Sequence, residues 1–374
     1  MTSLAGGLHV LADSGAPEGL DHYPTVVIVH GYVWHGGIFA KLLPLAQPRG
    51  ARVILLNRKD YPGAAPYTDE ERTLLPPAVE QLPTKESEIR SGTEKLEMFM
   101  EQRAQELYEC LQALVVERRI PPACRTSQDC GIVLVGWSLG ACWMTALLSH
   151  IARLPVGNVL LSDYIRRVVL YDALACLLGY PYPAQDPYNP FRDSTLTYEE
   201  RGQVFTKWIT SYFSHGETAE RFERREALST PLPTLASMSN EDFASTVHVP
   251  PGLPGGSDWT LLHDCLTYGT FTGLRERALF LPAGFISEDV ADNTARVDTC
   301  ADVEIRSVWG DHSVWEVPYA VMMLRQEVNE ANKHGKVTRP VSMLCVKGAN
   351  HFAQWDYPER VLDAFLTDNV DFRS

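Results

Sequence analysis

The 374-residue sequence predicts an α/β fold with a mostly parallel central sheet and helices on both of its faces. Three observations carry that expectation. Short β-branched runs recur along the chain, and most of them end at Gly, Asn or Asp. Segments with helical character lie between those runs. One run leads without a break into Gly-x-Ser-x-Gly at residues 136–140.

Residues 25–30 (TVVIVH) and 52–56 (RVILL) have the composition of strands buried on both faces, which read as continuous apolar runs rather than alternating ones. The same pattern returns at 131–135 (GIVLV), 167–171 (RVVLY), 303–309 (VEIRSVW) and 341–346 (VSMLCV). Helices are expected at 38–45, about 88–118, 138–153, 319–334 and 358–366, with Ser91 and Glu94 as a capping box inside the long one. Alternation of the two kinds of element implies parallel strands joined by helical crossovers.

Two stretches break this rhythm. Residues 60–87 carry prolines at 62, 66, 76, 77 and 83 and read as an irregular surface excursion. Residues 173–300 hold no clear core strand but several helix-like pieces, one with a capping box at Thr197 and Glu200. Trp208, Tyr212, Phe213, Phe222, Trp259, Tyr268, Phe271, Phe280 and Phe285 make that stretch aromatic. The expected organisation is therefore a core of residues 1–172 and 301–374 with a helical cap domain at 173–300. Each aromatic is first a candidate for the cap's own packing.

Bulk composition narrows the function by exclusion. A formal charge of -14 argues against nucleic acid or anionic lipid as partners, because both demand dense Lys and Arg. The eight cysteines have no C-x-x-C or zinc-type spacing, and Cys142 and Cys345 read as core. No asparagine stands in an N-x-[S/T] sequon, and the first residues make a poor signal peptide, so a cytoplasmic, reducing location is expected. Residues 131–152 lack Asp, Glu, Lys and Arg. A buried strand followed by a buried helix explains that run better than a membrane span. No dinucleotide, phosphate-loop, H-E-x-x-H or EF-hand motif occurs, and no nucleotide, flavin or metal cofactor is expected.

Chemistry concentrates in three places. In 131–148 a strand enters Gly136-Trp137-Ser138-Leu139-Gly140 and a helix leaves it. A nucleophilic serine needs that sharp turn to project its hydroxyl above the sheet, and the glycines let strand and helix approach each other. His30-Gly31-Tyr32 ends the first strong strand. The backbone N–H groups of Tyr32 and Leu139 are the expected oxyanion hole. His30 is expected to hold the loop in place, and His35 with Gly36 and Gly37 to shape the turn. His351 follows the last strand and a short Gly-containing loop, where a general base could reach back to the sheet's carboxyl edge.

The order His-Gly, GWSLG and then Asn350-His351-Phe352 resembles the α/β-hydrolase superfamily over nearly the whole chain. The resemblance implies the α/β-hydrolase fold, with the cap inserted between strands six and seven of the superfamily's count. More weakly, the LYD strand end and the NHF-x-x-WD-x-PE tail are similar to uncharacterised fungal members. It further implies acyl chemistry: hydrolysis of an ester, lactone, thioester or amide, acyl transfer, or at times C–C cleavage.

The family pattern places the triad acid after strand seven as G-x-x-D, where this chain has Gly310-Asp311-His312-Ser313. Ser313 thus fills the acid's usual position. Asp172, directly after strand six, is the preferred candidate, and Asp311 is the alternative. The expectation is a cofactor-independent serine hydrolase, esterase- or lactonase-like, acting on a bulky apolar small molecule through an acyl-enzyme on Ser138. An acyltransferase, a non-hydrolytic cyclase or a non-catalytic small-molecule binder on the same fold are the alternatives. The oligomeric state has no signal in the sequence.

Overall fold

The computed structural model describes residues 5–77, 82–124, 130–281 and 298–368. Seven strands form one sheet: β1 (His9–Asp13), β2 (Pro24–Val29), β3 (Arg52–Asn57), β4 (Gly131–Trp137), β5 (Ile165–Tyr171), β6 (Glu304–Gly310) and β7 (Val341–Val346). Their order is β1-β3-β2-β4-β5-β6-β7, with β1 antiparallel to β3 and every other pair parallel. β3 and β4 are buried at every position and β2 at all but its first, as their apolar runs predict. β1 escapes the sequence reading because it is half-buried throughout and pairs on one side only, so its residues (HVLAD) carry no strong pattern.

The longer helices are α1 (Glu86–Arg118), α2 (Ala141–His150), α3 (Tyr198–Ile209), α4 (Ser257–Tyr268), α5 (Thr270–Leu279), α6 (Glu316–Lys333) and α7 (Pro358–Leu366). Successive residues of a strand face opposite sides of its sheet. Accordingly Leu170 lines one small cavity together with Leu148 of α2, Ala278 of α5 and Leu324 of α6, whereas Tyr171 meets Phe39 and Phe365 of α7 on the other face. Both faces are thus covered.

Every residue of α2 except Ser149 is buried, which accounts for the charge-free run at 131–152. Among the described residues no helix is long and apolar enough to cross a membrane.

Some local expectations change. α1 starts at Glu86 after Lys85, so Ser91 and Glu94 lie inside the helix and form no capping box. Glu86 and Glu88 in the first turn instead complement the positive helix terminus. The capping box at Thr197 and Glu200 is present in both of its hydrogen bonds. Cys345 is half-buried rather than core, because β7 is the sheet's edge.

Residues 173–300 fall between β5 and β6, and their described part contributes no strand to the sheet. Trp208, Tyr212, Phe213, Phe222 and Phe271 are buried there, and Tyr268 packs where any side chain at Gly92 would collide with it. Phe285 lies outside the described residues. α5 packs on α2, so the end of this stretch also helps to cover the sheet.

His150, at the end of α2, gives a titration test of this packing. Burial first, then the nearby Arg277 and Arg153, lower its pKa to about 4. An unfolded histidine titrates near 6.5. Between those values the unfolded chain binds the proton and the folded one does not, so this group's contribution is present above about pH 6.5 and is lost as pH falls toward 4. His150→Leu is expected to lose less Tm than the wild type on going from pH 7 to pH 5. Parallel Tm profiles for the two proteins would contradict the assignment.

Candidate active site

The carboxyl ends of β4, β5, β6 and β7 lie side by side, with Trp137 opposite Tyr171, Tyr171 opposite Val308, and Gly310 opposite Val346. The segments that follow these ends therefore converge on one edge of the sheet. Ser138, first after β4, has a left-handed backbone with φ of 52°. A non-glycine residue held there costs roughly 1–2 kcal/mol and persists only under constraint from its surroundings. The constraint is close packing. A Cβ on Gly136 would lie 2.4 Å from the Gly140 carbonyl oxygen, and one on Gly140 would lie 2.5 Å from that of Val29. Glycine at both positions is thus a steric requirement of the turn. Ser138 itself is only 8% exposed.

Asp172, first after β5, is also left-handed, with φ of 47°, and is fully buried. Its carboxylate accepts from three directions. His351 Nδ1 is 2.6 Å from Oδ2, Ser313 Oγ is 2.8 and 3.0 Å from the two oxygens, and the Gly310 N–H donates to Oδ1 at 2.8 Å. These donors satisfy the buried carboxylate from within the protein, where water cannot. Bonding through Nδ1 leaves Nε2 of His351 as the ring's other nitrogen, the one an orienting acid would leave for a reacting hydroxyl.

His351 is fixed from behind as well. Trp137, the neighbour of Ser138, donates through Nε1 to the His351 carbonyl at 3.1 Å, and the two rings lie 5.0 Å apart. Asn350 bonds the Thr210 carbonyl and the Thr234 hydroxyl, both at 2.8 Å.

Asp311 takes no part in that contact. Its Oδ1 accepts the Gly348 N–H at 2.5 Å, and its side chain is partly exposed. Ser313 stands where the family pattern has an acid, and its hydroxyl instead serves Asp172. Of the candidate acids, the structure brings Asp172 and not Asp311 to His351.

The loop after β2 lies across the elbow, since a Cβ on Gly31 would meet the Ser138 Cβ at 3.0 Å. Tyr32 follows Gly31 in that loop, and Leu139 follows Ser138 in the elbow. Tyr32 also donates its hydroxyl to the Gly252 carbonyl at 2.5 Å. His30 is fully buried. Its Nδ1 meets the Gly31 carbonyl at 3.0 Å and its Nε2 accepts the Arg58 N–H at 3.2 Å, which is the loop-holding role expected of it. Burial, then Arg58, hold this ring's pKa well below the usual histidine range, so it stays neutral. His35 accepts the Gly37 N–H and caps the short turn of helix there.

Arg58, Tyr61 and Asp258 form a buried cluster against this loop that no motif in the sequence announces. The one available signal is a charged residue directly after the buried strand β3. Among the described residues no group of three His, Cys, Asp or Glu is placed to hold a metal ion.

A left-handed serine between a parallel strand and a helix, beside a histidine–carboxylate pair at the sheet's carboxyl edge, defines a class. Residues 26–364 match the model of the alpha/beta hydrolase family, and the chain belongs to that family, as a hydrolase of the α/β fold. No curated protein matches it. Among solved structures it is similar to a carboxylesterase from Bacillus subtilis, with 14% identity, coverage of 99% of this chain and 91% of that one, and a TM-score of 0.43. It is similar also to an epoxide hydrolase from Vigna radiata, at 15% identity, 98% and 95% coverage, and a TM-score of 0.43. A third is a putative aryl esterase from Burkholderia cenocepacia, at 13% identity, 98% and 96% coverage, and a TM-score of 0.46.

The strained elbow predicts an order of stabilities. Ser138→Gly is expected to be more stable than Ser138→Ala by about 1 kcal/mol, because only glycine accepts the left-handed backbone without cost. Equal urea midpoints for the two variants would count against strain at this residue. Asp172→Leu would strand three buried donors and lose several kcal/mol at about 1–3 per orphaned group, while Asp311→Asn should change stability by less than about 1 kcal/mol.

Proposed function

We infer that the protein is a serine hydrolase, with Ser138 as nucleophile, His351 as general base and Asp172 as the acid that orients it. The observation that carries this reading is the 2.6 Å contact between His351 Nδ1 and Asp172 at the same sheet edge as the left-handed Ser138. In the proposed reaction Ser138 Oγ attacks a carboxylic ester or lactone carbonyl as its proton passes to His351 Nε2. The Tyr32 and Leu139 amides receive the oxyanion. Collapse expels the alkoxide, which takes the proton from His351, and leaves an acyl-enzyme on Ser138. Water then repeats the sequence and releases the acid. The part of Asp172, bonded to Nδ1 of His351, is to fix that ring's tautomer and to stabilise the imidazolium.

Residues 173–300 are proposed as a cap over this edge of the sheet, and the preferred substrate as a bulky, uncharged small molecule. The aromatic richness of that stretch supports an apolar enclosure, although Trp208, Phe213 and Phe222 are spent on packing against one another and against His215. Lys41, over the Trp355 ring at 3.8 Å and bonded to its carbonyl, is the cation closest in sequence to the loop after β2.

A fluorophosphonate probe is expected to label the wild-type protein and not Ser138→Ala, with hydrolysis of p-nitrophenyl esters lost in the same variant. Labelling that survives the substitution sinks the nucleophile assignment, and a wild type inert to probe and esters points to a non-catalytic binding protein. Asp172→Asn should lose up to the order of 10⁴ in kcat, the scale of a lost triad acid. Asp311→Asn should stay within a few fold of wild type. The reverse ranking would move the acid back to the loop after β6.

A further inference from the structure

We propose that the buried pair Arg58–Asp258 sets the oxyanion-binding amide of Tyr32, making Asp258 a positioning residue for chemistry at Ser138. This rests on the serine-hydrolase reading above and deepens it. It assigns a task to residues outside the nucleophile, base and acid, one of which belongs to the stretch between β5 and β6.

The argument begins with the peptide unit. The Gly31 carbonyl and the Tyr32 N–H belong to one planar trans unit, so they point in opposite directions and turn together. The Gly31 oxygen accepts from Arg58 Nη2 at 2.8 Å and from His30 Nδ1 at 3.0 Å. Two donors on one carbonyl fix the plane, and the Tyr32 N–H is thereby aimed away from Arg58. Gly31 itself packs against the Ser138 Cβ. The guanidinium also polarises the peptide, because a charged donor on the carbonyl strengthens the N–H of the same unit as a donor.

The next peptide is pinned by the same cluster. Val33, left-handed with φ of 54°, donates its N–H to the Tyr61 hydroxyl at 3.0 Å. Tyr61 in turn donates to Asp258 Oδ2 at 2.6 Å. Both peptides flanking the Tyr32 Cα therefore lead back to one carboxylate.

Asp258 holds Arg58 by a two-pronged contact, Oδ1 to Nη1 and Oδ2 to Nη2, each at 2.7 Å. The two side chains are 1% and 2% exposed, and the guanidinium lies 4.2 Å from the centroid of the Trp143 ring. Burial disfavours the Arg58 charge, and the Asp258 carboxylate more than offsets that, so the guanidinium stays charged. Other residues of the same stretch strap this loop through backbone bonds, Thr246 to His35 and His248 to Val33. The oxyanion amide is thus assembled only when the stretch that carries Asp258 is docked on the core.

The test compares Asp258→Asn, Arg58→Lys and the double variant Arg58→Met/Asp258→Met with wild type and Ser138→Ala. The double variant removes both charges at once, so no unpaired buried charge remains to unfold it. The readouts are kcat and KM for a p-nitrophenyl ester, and the Ki of a trifluoromethyl ketone whose adduct oxygen occupies the hole. Loss of one oxyanion donor costs on the order of 10²–10³ in kcat. Misaiming that donor is expected to lower kcat at least about tenfold in Asp258→Asn and in the double variant. KM should move less than about threefold, and Ki should rise in step with the loss of kcat/KM. Arg58→Lys keeps the charge without the fork and should fall between. Folded variants whose kcat and Ki stay within about twofold of wild type, beside an inactive Ser138→Ala, overturn the proposal and leave the nucleophile reading standing. A wild-type rate in Ser138→Ala overturns both.

Discussion

A carboxylate with no exposure to water must find its hydrogen bonds inside the protein, and Asp172 finds them on three segments at once. Gly310 and Ser313 come from the end of β6 and the turn beyond it, and His351 from the turn after β7. None of these donors is near Asp172 in sequence, so their meeting depends on the register of β5, β6 and β7. A slip of one residue in either pairing would aim the wrong side chains at this point and leave a buried charge uncompensated. Sheet register and the proposed triad are therefore a single constraint seen at two scales.

The second constraint is steric. The loop at Gly31 meets the elbow at Ser138, and the turn at Gly310 meets the turn after β7, more closely than a side chain would allow. A Cβ on Gly310, for example, would sit 2.3 Å from the Ala349 carbonyl oxygen. Glycine at these points lets backbone rather than side chain meet backbone. That is how a left-handed serine, an amide-bearing loop and the histidine turn can share one small volume. The strain at Ser138, Asp172 and Val33 is held by this packing, which gains from every neighbouring contact in a dense interior.

The stretch between β5 and β6 reaches each part of the site. Asp258 meets Arg58 beneath the Gly31–Tyr32 peptide, Thr210 and Thr234 meet Asn350 beside His351, and Phe213 and His215 meet the His312–Ser313 turn. These contacts are mostly buried hydrogen bonds, which fix orientation more than they add net stability. A segment bonded in this way to the loop after β2, the turn after β6 and the turn after β7 is a frame for the site. His215 shows how specific the frame is. One ring nitrogen contacts the Ser313 carbonyl while the other accepts the Glu223 N–H, which requires a neutral ring. Its burial, acting first, holds the pKa down accordingly.

Much of this was legible in the sequence because it follows from local rules. Apolar β-branched runs marked the buried strands β2, β3 and β4, while the half-buried edge strand β1 was missed for want of such a run. Gly-Trp-Ser-Leu-Gly marked the elbow because close backbone approach admits only glycine on either side. Asp172 could be preferred over Asp311 from its place at a strand end, where an Asp can also be a plain cap, while Asp311 stands two residues before the usual acid position. Only the tertiary structure separated them, turning Asp311 onto Gly348 and giving Asp172 to His351, because that choice rests on where three distant turns meet. The partnership of Ser313 with Asp172, and that of Arg58 with Asp258 across 200 positions, left no trace in spacing or composition. Side chains so far apart in the chain become neighbours only through sheet register and packing, and a local pattern encodes neither.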